Sequence, residues 1–361
     1  MNVGSYTFAR RIAVATIFAV ALGCGATVAV KAAQVTIVES GSTLFYPLFR
    51  LWIPEYARLD RAVRLGANAT GSGTGVARVI SGAAQIGISD AYMSDEDLRS
   101  NPQILNIPLA ISAQTVNYNM PGLNRASLRL SGPILAAIYS GTIRQWDDAQ
   151  IAAMNPGIKL PHRDIIPVRR ADGSGDTFMF SQYLTYSTPS WGDGIDFGTT
   201  ISWPSVGGEL TATGNPGMVE ALRRHPYSVG YIGISLQSAI SRAELGTAKL
   251  ENQAGKFLLP TAESVAAGAA VLDTRTPADE RLSLVFAPGA NSYPIISYEY
   301  AVVSSHQPSA DTAAALRAFL LWSVEPNGGN NVKDLGYVHF LPLPDFVRAL
   351  SVAQIRAIHP L

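Results

Sequence analysis

Hydrophobic positions along the chain switch repeatedly between strand-like and helix-like spacing. Val35–Val38 is a short β-rich run, and from Leu44 to Leu59 apolar residues recur at helical spacing. Val63–Leu65 predicts a second strand, Gly75–Ile80 a helix and Ile86–Ser89 a third strand. A second series follows: helices near Ile134–Tyr139 and over Asp147–Met154, a strand at Ile165–Val168, a helix over Thr177–Leu184 and a strand at Val229–Ile234. Such alternation predicts an α/β fold with mainly parallel sheets. Two stretches break the rhythm, Ile104–Tyr118 and Pro294–Ser304; both are long, extended and without helical period. They read as crossings between two domains, one of residues 34–110 plus 297–361 and the other of residues 111–296, with a single large domain as the alternative. Helices at Ala310–Val324 and Leu343–Ile358 follow the second crossing, and Ser187–Gly217, dense in Gly, Pro, Ser and Thr, predicts an irregular surface excursion.

Composition fits two packed cores. Of 361 residues, 47% are hydrophobic and 15% charged, which argues against disorder, and the formal net charge of zero removes the broad electrostatic case for nucleic acid. The N-terminus reads as an export signal spanning residues 1–33. Arg10-Arg11 begins it, Ile12–Gly23 is apolar, and Val30-Lys31-Ala32 resembles a cleavage site. A permanent anchor is the alternative, but Gly23, Gly25, Thr27 and Lys31 interrupt the run. Cleavage would leave 24 Lys and Arg against 27 Asp and Glu, a formal charge of −3. Anion binding would then have to come from local geometry rather than from the global field. The single cysteine, Cys24, lies inside the signal, so the mature chain would be periplasmic or at the cell surface with no disulfide. The Ala21-Leu22-Gly23-Cys24 sequence also resembles a lipoprotein-processing site.

Three small-residue turns stand just before predicted helices: Ser40-Gly41-Ser42-Thr43-Leu44, Thr70-Gly71-Ser72-Gly73-Thr74-Gly75 and Asp172-Gly173-Ser174-Gly175-Asp176. A helix N-terminus presents unpaired N–H groups and partial positive charge, glycine admits close approach, and Ser or Thr adds a donor. Together they suit a tetrahedral oxyanion. Any one of them could equally be an ordinary turn with an N-cap, and none fits a nucleotide fingerprint. Arg170 lies two residues before the third turn, either as a cation for the anion or as a surface arginine paired with Asp172. Asp90 closes the strand Ile86–Ser89 and is either a site residue or a cap.

At this point a resemblance becomes specific. Gly41-Ser42-Thr43-Leu44, Gly71-Ser72-Gly73-Thr74-Gly75, Gly87-Ile88-Ser89-Asp90 and Val168-Arg169-Arg170-Ala171-Asp172-Gly173-Ser174-Gly175 occur in the order and at the separations of the PstS family. This family comprises the phosphate receptors of the high-affinity phosphate ABC transporter. Gly230-Tyr231-Ile232-Gly233 and Tyr298-Glu299-Tyr300 extend the resemblance over nearly the whole mature chain. It implies a two-lobed periplasmic-binding fold of type II kind, with the extended crossings as hinge. It also implies inorganic phosphate as ligand, ABC permease subunits as partners, a monomer, and no cofactor, metal or catalysis. Carried over by position, Thr43 would donate through backbone and hydroxyl and Leu44 through its N–H. Ser72, Arg170, Ser174 and Gly175 would donate as well, while Asp90 would accept a hydrogen bond from a proton on phosphate. Asp176 stands where a threonine donor is frequent. It would either face the anion through a ligand proton or turn away to cap the helix begun at Thr177.

Other readings are an exported hydrolase, a receptor for another oxyanion, or an adhesive or sensory protein on the same fold. Against a hydrolase, His162, His225, His306, His339 and His359 are scattered without metal-ligand spacing, and there is no Gly-x-Ser-x-Gly elbow.

Overall fold

The computed structural model describes Gln34–Leu361 and Met1; the expected export signal, with Arg10, Arg11, Cys24 and Lys31, lies outside the described residues. Eight strands follow one another across a curled nine-stranded sheet. They are β1 (Val35–Gly41), β2 (Val63–Ala69), β3 (Ile86–Ser89), β4 (Ile104–Tyr118), β5 (Ile166–Arg170), β6 (Leu210–Ala212), β7 (Ser228–Gly233) and β9 (Ile296–Ser304). Their order is β2-β1-β3-β9-β4-β7-β5-β6, and the two-residue β8 (Gly246–Thr247) pairs with β4 off this path. At one end β1 pairs in parallel with β2 and β3; at the other, β5 pairs in parallel with β6 and β7.

The two extended stretches join these parallel ends. From Ile104 to Ala113, β4 runs antiparallel to β9, and from Gln114 to Tyr118 it runs antiparallel to β7. The sheet is therefore parallel at both ends and antiparallel in the middle, where the long strands cross. This topology points the C-terminal ends of the parallel strands at one region, the usual place for a ligand in an open α/β sheet.

Helices cover each half. Helix α1 (Tyr46–Leu59) buries Leu48, Phe49, Trp52 and Tyr56. They meet Phe319 and Trp322 of α6 (Ala310–Val324), with ring centroids 5.1 Å apart for Tyr56–Phe319. In the other half, Phe180 of α4 (Gly175–Ser187) stacks on Tyr231 of β7 at 4.5 Å. Tyr139, at the end of α3 (Gly132–Tyr139), closes on Phe180 edge-to-face at 4.9 Å. Offset and edge-to-face contacts of this kind add to area burial. The core therefore locks both the start of α4 and the end of β5, since the Tyr231 hydroxyl meets Thr177 Oγ1 at 2.8 Å and accepts from the Arg170 N–H at 3.1 Å.

Two helices begin earlier than apolar spacing predicts: α2 is Ser72–Ile80, and α4 starts at Gly175. Their first turns are built from small residues that carry no hydrophobic signal. Helix α5 (Gly214–Arg224) lies partly in the stretch expected to be irregular. Its Gly214-Asn215-Pro216-Gly217 start looks like a loop, yet Pro in a first turn costs no hydrogen bond.

One buried acid far from these turns sets a pH dependence. Glu280 is enclosed and accepts from Ser351 Oγ at 2.8 Å and Gln354 Nε2 at 2.6 Å. Burial pushes its carboxyl up from 4.5 to about 8 despite those bonds. Between these values the unfolded chain has lost a proton that the folded chain keeps, so stability falls as pH rises through the window. We expect Glu280→Gln to raise stability at pH 8 by on the order of a few kcal/mol while changing it little at pH 4. Thermal melts at the two pH values check this; an equal shift at both would contradict it.

Candidate functional site

The turns after β1 and β2, and Asp90 after β3, leave the sheet at the same edge. The N–H groups of Thr70 and Gly71 both bond Gly41 O, at 2.9 and 2.8 Å, and Ser42 N–H bonds Ile88 O at 2.8 Å. The third turn, after β5, meets the second directly: Gly73 N–H donates to Gly173 O at 3.0 Å. Gly71 has φ of +88°, and a Cβ there would come within 2.6 Å of Asp172 Oδ2, so this close approach requires glycine. All three turns thus converge, drawing on both ends of the sheet.

Asp90 sits where they meet and is buried. Ser42 Oγ donates to its Oδ1, and Ser72 Oγ, in the first turn of α2, to its Oδ2 at 3.4 Å. The start of α4 packs against the same carboxylate, since a Cβ on Gly175 would fall 2.5 Å from Asp90 Oδ2. Asp90 therefore lies between the N-termini of two helices, the region that favours negative charge.

Arg170 faces this carboxylate group from the end of β5. Its Nε donates to Asp172 Oδ1 at 2.7 Å, its Nη2 to Asp172 Oδ2, and its Nη1 to Asp176 Oδ2 at 2.7 Å. It is buried, so it is not the surface arginine of the alternative reading, although the pairing with Asp172 expected there is present inside the site. Asp176 does not turn outward. It also accepts from Asn215 Nδ2 at 2.6 Å and Gln114 Nε2 at 3.1 Å. Helix α4 is capped instead by Ser174, whose Oγ accepts from Thr177 N–H at 3.2 Å while its own N–H donates to Thr199 O. Thr43 Oγ1 accepts from both Asn215 N–H and Nδ2 at 3.0 Å. Leu44 N–H donates to Ser42 Oγ at 3.1 Å, and the Leu44 side chain packs on Gly233.

The charges are lopsided, with Asp90, Asp172, Asp176 and Glu299 gathered around one arginine. Burial opposes the Arg170 charge, but Asp172 and Asp176 more than offset this and raise its pKa. Burial likewise opposes ionisation of Asp172, yet Arg170 and the Gly214 N–H hold it below the usual carboxylate range. Asp176 is raised, mainly by burial, with Arg170, Gln114 and Asn215 working against the shift. Asp90 is pushed up to about 6 by burial and then by the nearby Asp176 charge. So acidic an enclosure suits an anion that brings a proton.

Comparison with known proteins agrees with this arrangement. The family model of the PBP superfamily domain matches residues 26–327. The phosphate-binding protein PstS of Methanocaldococcus jannaschii is 32% identical, over 91% of this chain and 87% of that protein. The chain belongs to the PstS family. Among solved structures, a periplasmic phosphate-binding protein, PfluDING, bound with phosphate, superposes with a TM-score of 0.70 at 21% identity, covering 88% of this chain and 93% of that one. An ABC-type phosphate transport receptor from Vibrio cholerae gives 0.54 at 15% identity, covering 84% and 99%. At these identities the two structures establish the shared two-lobed fold.

For this PstS-family chain, Thr43, Leu44, Ser72, Asp90, Arg170, Ser174, Gly175 and Asp176 all fall in one neighbourhood. Residue reading missed Ser42, Gln114 and Asn215. Asn215 is the most consequential, since its amide spans Thr43 and Asp176 and its Oδ1 accepts from Gly233 N–H at 2.7 Å. The only signal for it was a polar residue in a Gly/Pro-rich stretch ahead of a helix. Because Asp176 repels Asp90, Asp176→Asn should lower the Asp90 pKa from about 6. Carboxyl-carbon NMR titration reads this; an unchanged or higher value would contradict the proximity.

Proposed function

We propose that this chain is an exported solute receptor that binds inorganic phosphate in the cleft between two lobes and delivers it to an ABC transporter. One observation carries the reading: two helix N-termini drawn from opposite ends of the sheet converge on the enclosed Asp90 carboxylate, with Arg170 held in the same neighbourhood by Asp172 and Asp176.

The lobes are residues 34–110 with 297–361, and residues 111–296. Thr43, Leu44, Ser72 and Asp90 come from the first; Arg170, Ser174, Gly175 and Asp176 come from the second. An anion touching both sets stabilises the closed arrangement over an open one by its differential contacts. The first N–H groups of α2 and α4 have no intrahelical acceptors by position, and they supply the donors at the start of each helix. Thr43, Leu44 and Ser174 exchange internal bonds for bonds to the anion, while Arg170 stays aligned by Asp172. Among the described residues no helix is long and apolar enough to cross a membrane, and no group of three His, Cys, Asp or Glu is placed to hold a metal ion. In this reading the partners are the permease subunits of the ABC transporter.

Selectivity follows from the acids. Near neutral pH phosphate carries at least one proton and sulfate none. Asp90 gains a hydrogen bond from the first and meets like charge on the second. Asp90→Asn should lower the phosphate-over-sulfate preference by roughly tenfold or more, by losing one charge-assisted bond and one repulsion. Titration calorimetry with both anions tests this. An unchanged ratio would remove Asp90 from its role, and absence of phosphate binding by the wild-type protein would remove the function.

A further inference from the structure

One acid in this neighbourhood has no part in the ligand set above. Glu299 lies on β9, buried, at the point where the pairing of β9 with β4 shifts register between Glu299 and Tyr300. A register shift beside a site is a device for re-aiming a side chain. Antiparallel pairing of β9 with β3 sets Tyr300 opposite Ser89, so the next residues along, Glu299 and Asp90, are brought side by side. The two segments are tied by a second contact, Ser297 Oγ donating to Asp90 O at 3.0 Å. Two carboxylates cannot both be charged in one dry enclosure, so one of them holds a proton.

The partners decide which. Asp90 receives the Ser42 and Ser72 hydroxyls, lies against the N-terminus of α4, and has the Arg170 charge nearby. Glu299 receives only Ser112 Oγ, on Oε1, and its buried Oε2 receives no hydrogen bond. An anionic oxygen left so would carry a full desolvation cost, whereas a hydroxyl there needs only an acceptor. The other charged groups of the enclosure, Asp176 at the start of α4 and Arg170 with its partner Asp172, do not reverse this ordering. Asp176 repels a charge on Glu299, and Arg170 is already shared by two aspartates.

We propose that Glu299 is a positioning residue which stays neutral and donates a hydrogen bond to Asp90, keeping Asp90 charged, oriented and free to accept a hydrogen bond from the proton of the ligand. Burial, then the Asp90 charge, raise the Glu299 carboxyl well above its usual range, in line with this assignment. The same hydrogen bond works to hold the Asp90 carboxyl down against burial. Glu299 thus sets the pH below which the site loses its acceptor. The role in selectivity rests on the phosphate reading; the location of the proton does not.

Two measurements on the full protein separate these. Infrared difference spectra at pH 7 between wild type and Glu299→Gln should show a carboxylic-acid C=O band that the variant lacks. Loss of a carboxylate band instead would overturn the proposal. Phosphate titration across pH follows. Glu299→Gln keeps an N–H donor toward Asp90 and should bind within about threefold of wild type. Glu299→Leu should bind roughly 10–100-fold more weakly, with less discrimination against sulfate and with its affinity falling off at a higher pH as Asp90 protonates more readily. A Gln variant as impaired as the Leu variant, or a Leu variant with the wild-type pH profile, would overturn the proposal. A wild-type protein that binds no phosphate would refute the receptor reading, while the infrared result would still decide where the proton resides.

Discussion

An enclosed negative charge with no cation of its own is the constraint around which this molecule is arranged. Among the described residues Asp90 pairs with no lysine or arginine; Arg170 is spoken for by Asp172 and Asp176. Transfer of a bare carboxylate from water into a protein interior is prohibitively costly. The surroundings lower that cost with hydroxyls and helix N-termini, delivered from strands at both ends of the sheet. The glycine start to α4 lets backbone approach this one group, and the positive φ at Gly71 lets the second turn close on Asp172 and Gly173 of the third.

The same economy governs Arg170. A guanidinium buried beside two aspartates is rigid, and rigidity is what a receptor needs if ligand contacts are to bias closure rather than be spent on ordering a side chain. Tyr231 carries that rigidity into the core: its ring stacks on Phe180, and its hydroxyl bridges the β5 backbone and Thr177. Packing and recognition share residues in this half of the protein, so the aromatic cluster also fixes the angle at which the third turn meets the second.

Local chemistry made part of this legible from residues alone. Ser72, Ser174 and Gly175 stand in small-residue turns ahead of helices, and Arg170 and Asp90 lie at the ends of short strands; these are signals of a few residues' span. The long extended stretches likewise declared themselves as strands, and both lie in the middle of the sheet. What escaped depends on distance along the chain. Gln114 meets Asp176 across 62 residues, and Asn215 meets Thr43 across 172. Both lie in segments whose own pattern speaks only of strand or loop. Glu299 is the one charged residue of β9, an anomaly that acquires meaning only when β3 and β9 are side by side.

The most direct test of the central claim is a crystal structure of the protein grown with inorganic phosphate. The account requires the anion between the first turns of α2 and α4, with one oxygen within hydrogen-bonding distance of the Asp90 carboxylate and another within reach of Arg170. A phosphate bound elsewhere, or bound in that cleft with Asp90 turned away from it, would contradict the account.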